Sequence, residues 1–238
     1  EVMKQLLDLT AFAMAQQDVR YYLNGMYMEI KEGRLRFVAT DGHRLALCTA
    51  PGQVEADDKS VIVPRKGILE LSRLLDADGS VTLTVGSNHI RAATDQFTFT
   101  SKLIDGKFPE YERVLPRSPD KTVTGDRTEL RQAFTRTAIL SNEKYRGVRL
   151  ALTNGSLEIT ANNPEQEQAE EMVPVDYSGD ALEVGFNVSY LLDVLGVLSG
   201  STVRMSLSDS ASSALVEDGD AGGEADAEAL YVVMPMRL

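Results

Sequence analysis

The chain has no tryptophan, one cysteine and two histidines among 238 residues, and each scarcity closes off a class of chemistry. Cys48 alone cannot form an internal disulfide, and its setting, Leu45-Ala46-Leu47-Cys48, suits a small core hydrophobe in a reducing cytoplasm. His43 and His89 with a single thiol cannot assemble a multi-histidine or Cys/His zinc set, so neither metal nor other cofactor is expected. Neither a G-x-S-x-G nucleophile turn nor a phosphate-cradling P-loop occurs. No apolar run reaches the roughly 18 residues of a spanning helix, so no membrane is expected. The chain opens at Glu1 without an initiator Met or an apolar leader, the expectation for a processed or partial chain.

Basic residues are also short. Against 36 Asp and Glu stand 24 Lys and Arg, a net charge of -12, which as a total argues against wrapping phosphate. The deficit is uneven: over residues 1–122 sixteen basic residues face seventeen acidic ones, and over 123–238 eight face nineteen. Much of the acidity sits in the runs 165–171 and 217–228, which leaves the remaining surface able to carry a basic face. With 43% hydrophobic residues there is ample material for a core.

What is present is a repeat. At an offset of 122 residues, Gly33-Arg34-Leu35-Arg36-Phe37-Val38-Ala39-Thr40-Asp41 lies over Gly155-Ser156-Leu157-Glu158-Ile159-Thr160-Ala161-Asn162-Asn163. The same offset aligns Ala11-Phe12 with Ala133-Phe134, Gly25 with Gly147, Leu69 with Leu191, and Val81, Leu83 and Val85 with Val203, Met205 and Leu207. Two copies of one domain are expected, 1–116 and 117–238, divided where Pro116 and Pro119 break regular structure.

Each copy reads as helix and strands, twice over. Residues 3–15 place Met3, Leu6, Leu7, Ala13 and Met14 on a helical stripe; strands are expected at 25–30, 34–39 and 45–49, with a turn at Glu32-Gly33. A second helix over 66–75 leads to strands at 81–85, 89–93 and 96–103. The second copy has helices near 128–140 and 188–198 and a last strand over 230–233. The pattern is α+β, with helices on one face of antiparallel sheets.

Several helices pair an apolar stripe with positive charge: Lys66 with Arg73, and Arg127 with Arg131. A solvated face explains any one of them, and a phosphate-binding surface explains the set, with Arg20-Tyr21-Tyr22 adding aromatic rings beside a base. The helix over 187–198 carries no Lys or Arg. Thr40-Asp41-Gly42-His43-Arg44 could present His43 and Arg44 for binding; the alternative is a general base built from His43 and Asp41, for which no convergent partners are visible. At the end of the chain Pro235 cannot extend a strand, which leaves Met234, Met236 and Leu238 without a strand role and suggests a peptide-binding patch.

Together the stretches Gln17-Asp18-Val19-Arg20-Tyr21-Tyr22-Leu23-Asn24-Gly25, Ala39-Thr40-Asp41-Gly42-His43-Arg44-Leu45-Ala46, Val63-Pro64-Arg65-Lys66-Gly67, Phe108-Pro109-Glu110-Tyr111, Ile139-Leu140-Ser141-Asn142-Glu143-Lys144, Ala161-Asn162-Asn163-Pro164-Glu165 and Val233-Met234-Pro235-Met236-Arg237-Leu238 resemble the bacterial DNA polymerase III β subunit, the replicative sliding clamp. The resemblance runs through both copies and covers the second and third of that family's three domains.

It implies repeated clamp domains with antiparallel sheets outside and helices on the inner face. Two subunits of the family close head to tail into a homodimer ring around duplex DNA, held without sequence preference. Arg20, Tyr21, Tyr22, Arg65, Lys66 and Gln17 then face DNA. Replicative polymerase, clamp loader and repair polymerases insert short hydrophobic peptides into a groove carried over here as Leu23, Thr40, Gly42, His43, Arg44, Leu45, Pro109, Arg113, Val114, Tyr190, Val232, Val233, Met234, Pro235, Met236 and Arg237. The ring interface falls at Ile139, Leu140, Glu165, Glu167, Glu170 and Glu171, with Gln168 neutral where the family is acidic. Without its first domain the chain is not expected to close a ring. On this reading it tethers and does no chemistry. The rival readings are a peptide-binding adaptor unrelated to DNA and an enzyme using His43 and Asp41.

Overall fold

The computed structural model describes residues 1–76, 78–220 and 227–237; Leu238 and most of the acidic run after Asp220 lie outside the described residues. The described residues fall into two compact units, one of 1–111 and 227–229, the other of 112–220 and 230–237.

In the first unit, α1 (Val2–Thr10) is followed by β1 (Gly25–Lys31), β2 (Arg34–Thr40), β3 (Arg44–Thr49) and β4 (Lys59–Pro64), then α2 (Arg65–Leu74) and β5 (Thr82–Val85), β6 (His89–Ala93) and β7 (Thr98–Lys102). All pairings are antiparallel, in the orders β4-β1-β2-β3 and β5-β6-β7. The hairpin of β1 and β2 turns at Glu32 and Gly33, both with positive φ, so a residue without a Cβ sits where the right-handed strand twist demands it. Leu6 and Leu7 of α1 and Ile68 of α2 are fully buried, and the polar side of the helix pair is stitched by Ser72 Oγ donating to Asp8 at 2.8 Å.

The second unit repeats this plan with β8 (Lys121–Asp126), α3 (Arg127–Ala138), β9 (Gly147–Thr153), β10 (Ser156–Asn162), β11 (Gln168–Pro174), β12 (Leu182–Asn187), α4 (Val188–Val197), β13 (Thr202–Leu207), β14 (Ala214–Asp218) and, from Leu230 on, β15 (Glu228–Val233). Its sheets run β11-β10-β9-β12 and β8-β13-β14-β15. Asp126 caps α3 by accepting from the Glu129 N–H at 2.8 Å, and Asn187 caps α4 through Ser189 at 2.9 Å.

The 122-residue offset holds for the first hairpin, β1-β2 against β9-β10, and fails in the helices. In α1 the buried Met3, Leu6, Leu7 and Thr10 take the places of Leu130, Ala133, Phe134 and Thr137 in α3, an offset of 127. Thr10 and Thr137 make the same bond, each buried hydroxyl donating to the carbonyl four residues back, at 2.6 and 2.8 Å. Ala11-Phe12 is therefore not the counterpart of Ala133-Phe134: α1 ends at Thr10 and a 3₁₀ turn follows over Ala11–Ala13. In α2 the slip is one residue. Leu69 is 37% exposed, and Ile68 is the buried equivalent of Leu191. Strand β4 is absent from the sequence reading; it supplies the outer edge of the first sheet.

Candidate functional site

The residues expected at the peptide groove divide between the two units. In the first unit, the turn between β2 and β3 is built by Asp41. Its Oδ1 accepts the N–H groups of His43 and Arg44 at 2.9 and 3.1 Å, and Oδ2 meets Arg44 Nε at 3.2 Å. Thr40 Oγ1 accepts from the Gly42 N–H at 3.1 Å and donates to the Arg44 carbonyl at 2.6 Å. Arg44 then donates to the Phe12 carbonyl at 3.0 Å and lies 5.2 Å over the Phe12 ring. Asp41 is thus committed to shaping this turn. His43 is exposed at its tip, Thr40 and Leu45 are buried in the strands on either side, and Leu23 is buried in a 3₁₀ turn over Tyr21–Leu23. Pro109 is exposed beside the buried Phe108, which stacks on Tyr27 at 4.7 Å.

Gly42 has φ +90°, and a Cβ there would fall 2.7 Å from Arg20 Nη1. The reason is that Arg20 reaches across to donate to the Asp41 carbonyl at 3.1 Å. Its other partner is Asp18, which takes Nε at 3.0 Å and Nη2 at 2.8 Å, and whose carboxyl this Arg20 pairing holds down at about 2. Arg20, expected to face DNA, therefore braces the turn between β2 and β3, with 45% of its side chain still exposed.

The other residues expected to face DNA are spread along the same unit. Gln17 is exposed with φ 54°, Tyr21 is 56% exposed and meets Tyr22 edge-on at 5.7 Å, and Lys66 is exposed on α2. Arg65 is half-buried and donates to the Met14 carbonyl at 3.3 Å. The pairing of Arg127 with Arg131 as a basic face is corrected: Arg131 is exposed, but Arg127 turns in to donate to the carbonyls of Gly200 and Leu195, at 2.8 and 3.3 Å, at the end of α4.

In the second unit, Val232 and Val233 are buried in β15, and Met234 and Pro235 leave the sheet half-buried. Met236 does have a strand-like role, contrary to expectation: it bridges to Gly185, its N–H donating to the Gly185 carbonyl at 2.8 Å. This bridge holds Pro235, Met236 and Arg237 along a cleft of about 620 Å³ with Arg149, Glu183, Ser210 and Ala211. Arg149 and Glu183 form a 3.7 Å ion pair there. Of the remaining groove residues, Tyr190 is half-buried on α4, and Arg113 and Val114 are exposed. The sequence reading missed Ser210 and Ala211, which follow β13 in a turn with no local signal; only folding brings them to the chain end.

The expected ring-interface residues lie around α3. Ile139 is 75% exposed just past its end, and Leu140 is half-buried. Glu165 and Glu167 occupy the exposed turn between β10 and β11, where Glu167 accepts from Asn163 Nδ2 at 2.7 Å. Glu170 is exposed, whereas Glu171 is clamped by Arg136 at 2.6 and 2.9 Å, which lowers its carboxyl below the ordinary range. Among the described residues no group of His, Cys, Asp or Glu is placed to hold a metal ion, and no helix is long and apolar enough to cross a membrane.

Comparison with known proteins places these features in a family. Residues 1–110 match the DNA polymerase III beta subunit central domain and residues 112–237 its C-terminal domain. The beta sliding clamp of Pseudomonas aeruginosa is 65% identical over 238 residues, and that of Escherichia coli K12 is 57% identical over 237, each match covering 99% of this chain. The chain spans 64% of the first relative's length and 63% of the second's. Crystal structures of the P. aeruginosa clamp superpose with a TM-score of 0.95 at 65% identity, covering 99% of this chain and 64% of theirs. A Bartonella birtlesii clamp bound to griselimycin superposes at 0.91 with 40% identity, covering 99% and 64%. With both halves matched in order by its central and C-terminal domains, the chain belongs to the DNA polymerase III beta subunit family, the bacterial sliding clamps.

Proposed function

We propose that this chain is the central and C-terminal portion of a bacterial sliding clamp, a processivity factor that holds polymerases on duplex DNA in the cytoplasm. The observation that carries the reading is the terminal Val233–Arg237 stretch, present as in the family motif, with Pro235, Met236 and Arg237 lining a cleft beside the Met236 bridge to Gly185. Partners would seat a short hydrophobic peptide in that cleft, held by apolar contact more than by charge. Clamp function needs no chemistry, and both Asp41 oxygens take part in shaping the turn.

Duplex DNA would be met by Lys66, Tyr21, Tyr22 and the exposed part of Arg20 through phosphate contacts without base readout. Ile139, Leu140 and the acidic positions 165, 167, 170 and 171 would meet the first domain of another subunit. Peptide binding is then a property of this chain, and topological tethering is a property of the longer protein.

The deciding experiment is saturation binding of a fluorescent hydrophobic clamp-binding peptide, with griselimycin as competitor, to the chain and to a form lacking residues 234–238. Binding that griselimycin displaces and the deletion abolishes is expected. A folded chain that binds neither compound overturns the reading.

A further inference from the structure

The internal repeat extends to the cleft at Met236. In the second unit Arg149 of β9 stands opposite Gly185 of β12, and the Gly185 carbonyl takes the Met236 N–H at 2.8 Å. In the first unit Tyr27 of β1 stands opposite Ile62 of β4, and the Ile62 carbonyl takes the Ile104 N–H at 2.9 Å. A cleft lies beside each bond, and the two have matching walls. In the strands, Tyr27, Ser60 and Ile62 take the places of Arg149, Glu183 and Gly185. In the segment that leaves the last strand, Leu103, Ile104 and Asp105 take those of Pro235, Met236 and Arg237. The turn after β5 supplies Asn88 as the turn after β13 supplies Ser210. The first unit thus carries its own copy of the cleft proposed for partner peptides.

The copies differ in what fills them. The cleft at Met236 measures about 620 Å³, and the Arg149 side chain on its wall is 53% exposed. The first-unit cleft is smaller, about 470 Å³, and takes Gly106, Lys107 and Phe108 into its wall as well. Where the second unit has the ion pair of Arg149 with Glu183, the first has the uncharged Tyr27 and Ser60. The Phe108 ring lies flat on Tyr27, with centroids 4.7 Å and planes 10° apart, and is 6% exposed. The strap that carries Phe108 is held on either side of it. A Cβ on Gly106 would fall 3.2 Å from the Tyr21 ring, and the buried Tyr111 donates its hydroxyl to Glu29 at 2.7 Å.

We propose that Phe108 closes the first unit's copy of the peptide cleft and so reserves peptide binding to the cleft at Met236. The proposal rests on the clamp reading for the class of ligand, a short hydrophobic peptide. Phe108 is a specificity residue by occlusion: its ring holds the face of Tyr27 that an aromatic side chain of a peptide would otherwise take. Removing the ring uncovers that face, with Ile62 and Ile104 in the same cleft, and makes a second site of the same class.

The test is the number of peptide equivalents per chain, counted by titration calorimetry with a hydrophobic peptide containing one phenylalanine. The parent is expected to bind one and Phe108→Ala two. The added equivalent is expected to be lost again when Asn88→Arg, at an exposed position in the same cleft, is combined with Phe108→Ala. Tyr111→Phe keeps every ring and removes only the bond to Glu29, so it serves where circular dichroism shows Phe108→Ala unfolded. It is expected to gain the added equivalent about tenfold more weakly, because the strap then opens only part of the time. One equivalent in every variant that folds overturns the proposal. An added equivalent that survives Asn88→Arg also overturns it, and so do two equivalents in the parent, since Phe108 then closes nothing. Absence of binding to the parent is a failure of the clamp reading, whereas the step of one equivalent between parent and Phe108→Ala decides this proposal.

Discussion

Arg20 shows how a residue acquires a task that local pattern does not reveal. The sequence marks it as a basic group beside two tyrosines, and its bond to the Asp41 carbonyl, 21 positions away, has no trace in local pattern. Gly42 is the dependent residue. Gly42→Ala adds a Cβ at φ +90° against the guanidinium, so a loss of about 1–3 kcal/mol in denaturant unfolding is expected, with weaker peptide binding. The Asp18 carboxyl is a second readout. Because Arg20 lowers it from 3.8 to about 2, its stabilising contribution is complete above the unfolded value and disappears as pH falls through about 2. Carboxyl NMR should show that low midpoint, and Arg20→Gln should move it back toward 3.8. A midpoint unmoved by Arg20→Gln would mean that the pairing does not hold in solution.

At the scale of elements, most strands and all four helices were legible because apolar spacing follows the periods of 2 and 3.6. The errors came from aligning letters instead of buried positions. Ala11-Phe12 and Ala133-Phe134 match as text, yet Phe134 is 1% exposed in the core while Phe12 lies half-buried in a 3₁₀ turn beneath Arg44. Phe134→Ala is therefore expected to cost about 3–5 kcal/mol, and Phe12→Ala less than half of that, by thermal or denaturant unfolding. Equal costs would restore the sequence alignment. Strand β4 escaped notice because its first two residues, Lys59 and Ser60, are exposed and it pairs on one side only. Met236→Pro removes the N–H given to Gly185, and should reduce peptide affinity about tenfold with little change in stability, since the bond lies at the chain end.

For the whole molecule, net charge conceals how charge is distributed along the chain. The total of -12 argues against DNA, yet the first half of the chain is nearly neutral and carries most of the exposed cations expected to meet phosphate. Binding to duplex DNA should be weak, indifferent to sequence and steeply lost with salt. Lys66→Ala should lower the slope of log affinity against log salt by about one, measured by anisotropy on unrelated duplexes. An unchanged slope would remove Lys66 from the DNA surface.

The sequence by itself determined the repeat, the α+β class, the antiparallel hairpins and the family, because each is written in local periodicity or in ordered motifs. Tertiary structure alone decided which cations are spent. Arg127 turns inward to carbonyls near the end of α4, Arg136 clamps Glu171, and Arg20 braces a turn, while Lys66 and Arg131 stay exposed. It also decided that Met236 bridges to Gly185 beside a cleft. The physical reason is the same in each case. A side chain's periodicity reveals whether it faces the core, but the partner that satisfies a charge or a strand edge is brought by distant parts of the chain.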